Sequence, residues 1–224
     1  MIPGPKRILF PFIGLVLMFA CAPENTSWLG KRFHNVNAHY NGYFYANGEI
    51  NKIEQTLIKS QVDDYNRILK IFPALDSSVA KGYDKEAQEA VKMASLAIQR
   101  HPHSKWVDDA YILVGKARLY SMDWGNAIQT FKYVNTKSKD PDARHKAIIY
   151  LVRTFVEHKE FNNAQAAIDY LLKEKLSKTN QKRFYLEKAY YHQTLNDYDN
   201  VVRSLSKVEG LSKRKTDGEE FFSS

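Results

Sequence analysis

The chain has 224 residues, 44% of them hydrophobic, and contains only ten glycines and seven prolines. This composition excludes a disordered or low-complexity protein and suffices for one elongated or one globular domain. The single cysteine excludes an internal disulfide, and the formal net charge of +8 makes the surface basic.

Residues 1–20 have the features of a bacterial lipoprotein signal peptide. Their apolar run, residues 8–20, is too short to cross a bilayer as a mature helix. Ala20 directly precedes Cys21, a pairing that resembles a lipobox and implies that Cys21 is lipidated after cleavage. Several acyl chains on one cysteine make a stable membrane anchor. An ordinary cleaved signal with an incidental cysteine, or an uncleaved anchor, is the alternative.

The rest of the chain is predicted to be helical and to fall into four segments. Residues 21–32 form a polar tether, and residues 33–80 form an N-terminal helical cap. Residues 81–211 form a repeat array, and residues 212–224 form an irregular tail. From about residue 49 onward, apolar residues recur three and four positions apart, with Pro and Gly at the breaks, which is typical of helices.

Two adjacent acid pairs, Asp63–Asp64 and Asp108–Asp109, are each predicted to open a helix, because negative charge is favourable at a helix N-terminus. Adjacent helical residues point about 100° apart, so neither pair can serve as paired catalytic acids.

The sequence contains an internal repeat with an offset of 37 residues. Four classes of position keep this offset: Gly115, Val152 and Ala189; Trp124, Phe161 and Tyr198; Ala127, Ala164 and Val201; and Phe131, Ile168 and Leu205. A fixed period of this length predicts stacked supersecondary units. Small residues let two helices approach closely, and aromatic residues fill the gap to the next unit.

This unit resembles a tetratricopeptide repeat. The best copy runs over residues 108–134, and further copies cover residues 145–171 and 182–208. The repeat-defining residues are Tyr111, Gly115, Trp124, Ala127, Phe131, Phe161, Ala164 and Tyr198. The resemblance implies an all-α solenoid, and an irregular helical bundle with chance spacing is the alternative.

The residues give no indication of a catalytic or metal centre. No histidines are spaced as His-Glu-x-x-His, and cysteine ligands are absent. His101 and His103 with Asp108 and Asp109 could be drawn as a metal site, but the end of one helix and the start of the next explain them better. We therefore expect no cofactor and no enzymatic activity.

In tetratricopeptide arrays the first helix of each pair lines a concave groove. The resemblance maps that groove onto Asp109, Lys116, Lys146, Arg153, Glu157, Arg183 and Tyr190, of which four are cationic. These residues predict a surface that receives an acidic segment of a partner. Nucleic-acid binding is the usual interpretation of a basic excess, but a lipid anchor outside the cytoplasm argues against that partner. Simple solvated helix faces are the third interpretation.

Three blocks resemble the start of the SprE/PorW lipoproteins of the Bacteroidetes. They are residues 33–46 (FHNVNAHYNGYFYA), 63–72 (DDYNRILKIF) and 106–120 (WVDDAYILVGKARLY). Members of that family serve the type IX secretion system and, in gliding species, surface motility. The resemblance implies a non-catalytic scaffold on the outer membrane, facing the periplasm, whose partners are periplasmic or outer-membrane components of the secretion machine.

Two further functions stay open at this point. One is a tetratricopeptide lipoprotein of outer-membrane barrel assembly, and the other is an adaptor for a periplasmic protease or cell-wall enzyme. Family members are several times longer than this chain, so the sequence is expected to be a truncated or N-terminal portion.

Overall fold

The computed structural model describes residues 28–220, without the side chains of residues 29, 39, 40 and 213–220. The predicted signal peptide and Cys21 therefore lie outside the described residues. Helices, turns and loops account for the whole described range, in which no strand occurs, so the all-α fold is confirmed. None of the helices in this part of the chain is both long and apolar enough to cross a membrane.

The chain begins with α1 (Trp28–Ala38), a π-helical turn (His39–Tyr43) and α2 (Phe44–Ser60). After an irregular segment follow α3 (Ser77–Ala80), a 3₁₀ turn (Lys81–Tyr83) and α4 (Asp84–Arg100). The remaining helices are α5 (Val107–Tyr120), α6 (Trp124–Lys137), α7 (Pro141–Glu157), α8 (Phe161–Leu171), α9 (Lys178–Thr194) and α10 (Tyr198–Glu220).

Two predicted segment boundaries differ from the structure. Helix α1 begins inside the predicted tether (residues 21–32), because Gly30, His34 and Ala38 are spaced four apart and form one buried face. Helix α10 continues through most of the predicted irregular tail (residues 212–224). Lys, Arg and Glu are good helix formers, and no proline interrupts this stretch.

Residues 61–76, which we call the strap, are irregular, so the prediction of helix nearly throughout from residue 49 is wrong here. Asp63 and Asp64 do not open a helix. The Asp64 carboxylate instead accepts a hydrogen bond from the Asn66 amide at 3.0 Å, in a local turn. Pro73 disfavours helical backbone at the residue before it. By contrast, Asp108 and Asp109 do lie in the first turn of α5, as predicted.

The helices pack in chain order, and one row of them runs along a single side. Helix α2 contacts α5, α5 contacts α7, and α7 contacts α9, while α4, α6, α8 and α10 each pack beside a member of this row. Two hydrophobic clusters fill the interior, and α5 contributes residues to both. The core is therefore continuous along the row.

Three hairpin turns share one backbone geometry. Met122, Lys159 and Asn196, spaced 37 residues apart, have left-handed φ values of 58°, 62° and 57°. In each turn the following amide donates to the carbonyl five residues back, at 2.9, 2.8 and 2.9 Å (Asp123 to Arg118, Glu160 to Phe155, Asp197 to His192). This is the Schellman arrangement that ends a helix and satisfies its last carbonyls.

Candidate protein-binding groove

A cavity of about 920 Å³ lies on the side formed by α2, α5, α7 and α9. Its apolar lining includes Leu57, Ile58, Leu119, Leu186 and Leu211, and its charged lining comprises Glu54, Lys116, Arg153, Lys178, Lys182, Arg183 and Glu187. Phe72 and Pro73 of the strap complete the wall. Binding sites are commonly concave, mostly apolar and supplied with a few placed polar groups, which matches this lining.

Arg153 is the most enclosed cation of the cavity. Its guanidinium lies against two aromatic rings, 3.9 Å from the centroid of Phe72 and 4.3 Å from that of Tyr190. Its Nε lies 2.8 Å from Glu157 Oε1, and its Nη1 lies 3.5 Å from Glu187 Oε2. Arg153 is therefore held within the fold by two carboxylates and two rings and has little freedom to bind a partner charge.

Burial strongly shifts the pKa of two groups beside Arg153, the carboxyl of Glu187 and the phenol of Tyr190. Burial raises the pKa of Glu187 to about 7, although Arg153 acts in the opposite direction. Burial also raises the pKa of Tyr190, whose hydroxyl donates to Glu157 Oε1 at 3.0 Å. Burial would lower the pKa of Arg153, but Glu187 and Glu157 raise it above its ordinary value. The arginine therefore stays charged.

A second ion pair, between a buried lysine side chain and a partly exposed glutamate, joins α2 to α5. Lys116 Nζ lies 2.6 Å from Glu54 Oε1, which also accepts a hydrogen bond from the Tyr120 hydroxyl at 2.7 Å. Burial would raise the pKa of Glu54, but Lys116 and Tyr120 together hold it below its usual value. Glu54 was not among the predicted groove residues, because it precedes the repeats that defined them.

Asp109 and Lys146, two further predicted groove residues, pair with each other. Their side chains are 2.6 Å apart and do not line the cavity. Of the four cations among the seven predicted residues, Arg183 alone has no described carboxylate within ion-pair distance. Its guanidinium lies 5.3 Å from the centroid of the Tyr150 ring. The structure thus leaves Arg183 as the cation available to a ligand.

Lys178 and Lys182 lie beside Arg183 at the cavity, and sequence reasoning did not select them. Both side chains are exposed, and neither pairs with a described carboxylate. The basic stretch between residues 173 and 188 was the signal that could have identified them. Three cations without a described carboxylate partner therefore border the groove.

The repeat-defining residues lie mainly at helix contacts. Ala127, Ala164 and Phe131 are fully buried, and Tyr111, Trp124 and Phe161 are partly buried against the same cluster. A Cβ built on Gly115 would lie 2.4 Å from a ring carbon of Phe131, so the close approach predicted there is found. Tyr198 differs, because 41% of its surface is exposed.

Three of the four residues that could be drawn as a metal site, His101, Asp108 and Asp109, have other partners in the structure. His101 Nδ1 lies 2.9 Å from Nδ1 of the buried His34, while Asp108 accepts a hydrogen bond from the Ser138 hydroxyl at 2.6 Å. Asp109 is paired with Lys146. Among the side chains that the structure describes, no group of three or more His, Cys, Asp or Glu is arranged to hold a metal ion.

Comparison with known proteins does not assign the chain to a family. No protein-family model matches it, and no curated protein matches its sequence.

Proposed function

We propose that the helical hairpins α5–α6, α7–α8 and α9–α10 are three repeats of one unit in a tetratricopeptide-like array, with α1 and α2 as its N-terminal cap. Two independent periodicities support this proposal. The sequence classes recur every 37 residues, and the left-handed turn residues recur with the same spacing. The row formed by the capping helix α2 and the first helices α5, α7 and α9 then corresponds to the concave side of the array.

We propose further that the chain is a non-catalytic scaffold whose concave groove binds an acidic, extended segment of a partner protein. One observation carries this proposal: Lys178, Lys182 and Arg183 border a largely apolar cavity, and none of them pairs with a carboxylate among the described side chains. Cations on a groove favour an acidic ligand and exclude a basic one. Nucleic acid is not the expected partner, because the lipid anchor would hold the protein outside the cytoplasm.

The cellular role we propose is that of an outer-membrane lipoprotein of the type IX secretion machinery, anchored through Cys21 and facing the periplasm. The three blocks that resemble SprE/PorW proteins support this role. In the fold, the first and third blocks meet where the ring of Tyr43 stacks on Trp106 at 5.1 Å, and the second block supplies Phe72 to the groove. Replacing Cys21→Ser should release the protein from the membrane fraction.

The test of the groove is a charge reversal that leaves the internal ion pairs intact. Lys146 and Arg153 are unsuitable targets, because both are paired within the fold. The double variant Lys182→Glu/Arg183→Glu reverses cations of the groove only. The matched control is Lys173→Glu/Lys175→Glu, which makes the same change in net charge at exposed positions away from the cavity.

Affinity purification of the anchored protein from its own cells provides the measurement. Secretion-system components should co-elute with the wild type and the control but not with Lys182→Glu/Arg183→Glu, while circular dichroism shows all three folded. Equal recovery of partner proteins with the wild type, the control and the double variant would refute the proposal that the groove binds the partner. Co-elution of barrel-assembly proteins or of hydrolases would instead refute the type IX assignment.

A further inference from the structure

The strap lies against the row formed by α2, α5, α7 and α9, and its backbone is bound to α9. The amide of Ile71 donates to Gln193 Oε1 at 3.0 Å, and Gln193 Nε2 donates to the carbonyl of Leu69 at 2.9 Å. One side-chain carboxamide of α9 thus pairs with both a donor and an acceptor of the strap backbone. Proteins that bind extended peptides use main-chain hydrogen bonds of this kind for affinity.

The next side chain of the strap occupies an aromatic subsite. The ring of Phe72 covers the guanidinium of Arg153 at 3.9 Å and meets the ring of Tyr190 edge-on at 5.4 Å. Arg153 and Tyr190 are both held from behind by Glu157, at 2.8 and 3.0 Å. The subsite is therefore a fixed surface that a flat aromatic side chain fits, and Phe72 is its present occupant.

The middle of the strap is held loosely and its C-terminal end firmly. Residues 62–70 are all exposed, with Val62 92% and Tyr65 83% accessible. In the described part of the chain, the two bonds to Gln193 are the only hydrogen bonds that join residues 62–73 to elements outside the strap. Leu75, by contrast, packs against both hydrophobic clusters. Release of residues 69–73 from the groove would thus break the two bonds to Gln193 and the contacts of Phe72, and none of these is a backbone hydrogen bond within a helix.

The strap also leaves the cations of the groove unused. Residues 68–73 read Ile-Leu-Lys-Ile-Phe-Pro and contain a lysine but no acid. An incoming segment that offers an aromatic side chain together with acidic ones would fill the same subsite and add ion pairs with Lys182 and Arg183. These ion pairs would favour binding of such a segment, and the strap cannot form them because residues 68–73 contain no acid.

We propose that residues 69–73 are an internal ligand of the groove, and that a partner segment with an extended backbone, an aromatic side chain and neighbouring acids displaces them. This inference rests on the proposed function and specifies its ligand. Because the strap is covalently attached, its effective concentration at the subsite is high, and a free peptide must compete with it. Opening the strap should therefore expose the site.

The experiment measures binding of a fluorescent peptide with the sequence of residues 66–74 (NRILKIFPA) to the full chain by fluorescence anisotropy. In the open variant, residues 69–73 are replaced by Gly-Ser-Gly-Ser-Gly. The peptide should bind the open variant at least about tenfold more tightly than the wild type. A peptide with alanine in place of Phe72 should bind the open variant about tenfold more weakly, since it lacks the ring over Arg153.

Two further variants separate the parts of the site. Adding Gln193→Ala to the open variant should weaken binding of the peptide, because the two hydrogen bonds from Gln193 to the peptide backbone are lost. A peptide with glutamate in place of Lys70 should bind the open variant more tightly, and adding Lys182→Glu/Arg183→Glu should remove that gain alone. If the open variant does not fold, the single variant Phe72→Ala replaces it. This variant keeps the strap but vacates the aromatic subsite, and its affinity for the peptide is compared with that of the wild type.

Equal binding of the peptide to the wild type and to the opened protein would overturn the inference, as would equal binding of the peptides with and without the aromatic ring. The synthetic peptide reports on the subsite itself, whereas partner capture from cells reports on the proposed function. Tight peptide binding with unchanged partner capture by Lys182→Glu/Arg183→Glu would thus refute the proposed acidic partner but not the internal ligand.

Discussion

Gly115 is a position where one added methyl group should be costly to this protein. A Cβ there would lie 2.4 Å from Cε1 and 2.6 Å from Cζ of Phe131. The Phe131 ring is fully buried and is stacked on Tyr150 with centroids 5.4 Å apart. The ring therefore cannot move aside without displacing a neighbour on α7, and Gly115→Ala forces α5 and α6 apart.

The magnitude follows from two opposing effects. Overpacking a well-filled core costs about 1–3 kcal/mol, and an overlap this deep belongs at the upper end of that range. Replacing glycine by alanine inside a helix returns about 1 kcal/mol of helix propensity. The net loss is about 2 kcal/mol, which for a chain of this length lowers the melting temperature by roughly 4–8 °C.

Gly48→Ala is the matched control. Gly48 also lies within a helix, but nothing stands within 4 Å of a Cβ built there, so only the propensity gain of about 1 kcal/mol remains. Urea unfolding followed by far-UV circular dichroism compares the two variants with the wild type. A Gly115→Ala protein as stable as Gly48→Ala would refute the argument. Pairing Gly115→Ala with Phe131→Leu should cost less than the sum of the two single changes.

Three more variants test other features. Burial raises the pKa of Glu187 to about 7 from 4.5, so the fold holds a proton that the unfolded chain releases, and stability falls as pH rises through this window. Between pH 4.5 and 8, the free energy of unfolding should fall by about 3 kcal/mol less in Glu187→Gln than in the wild type, as measured by urea titration. Identical pH profiles of the two proteins would contradict this. Lys159→Gly should raise stability by about 1 kcal/mol, because Lys159 is exposed with a φ of 62°; a lower melting temperature would refute the strain. Tyr83→Phe should lose about 1 kcal/mol in thermal unfolding, because the Tyr83 hydroxyl donates to the Tyr120 carbonyl at 2.9 Å; an unchanged transition would show that bond to be neutral.

The strap shows where sequence patterns were insufficient. Apolar residues at helical spacing continue through residues 61–76, which is why helix was predicted there, and Pro73 was the only local warning. What placed this segment on α9 was its contact with Gln193, at 122 positions of separation along the chain. No local pattern encodes such a contact, because the packing of the hairpins between the strap and α9 decides whether Gln193 lies near the strap.

The groove residues show the same division. The repeat register placed Lys116, Arg153 and Arg183 at the cavity, where the structure has them. It could not show that Lys116 is paired with Glu54 of α2 or that Arg153 is enclosed by the strap and Glu187. The sequence shows which side chains carry charge, whereas the pairing of those charges depends on the distances between helices.

By itself, the sequence determined that this protein is helical, where its last three hairpins turn, and that two helices approach closely at Gly115. Helix periodicity, capping and turn preferences act over a few residues, so they can be read locally. The tertiary structure alone decided that the strap lies in the groove and that Lys178, Lys182 and Arg183 have no described carboxylate partner there. Those outcomes depend on packing between segments far apart in the chain, where the position of one helix decides whether a charge finds a partner.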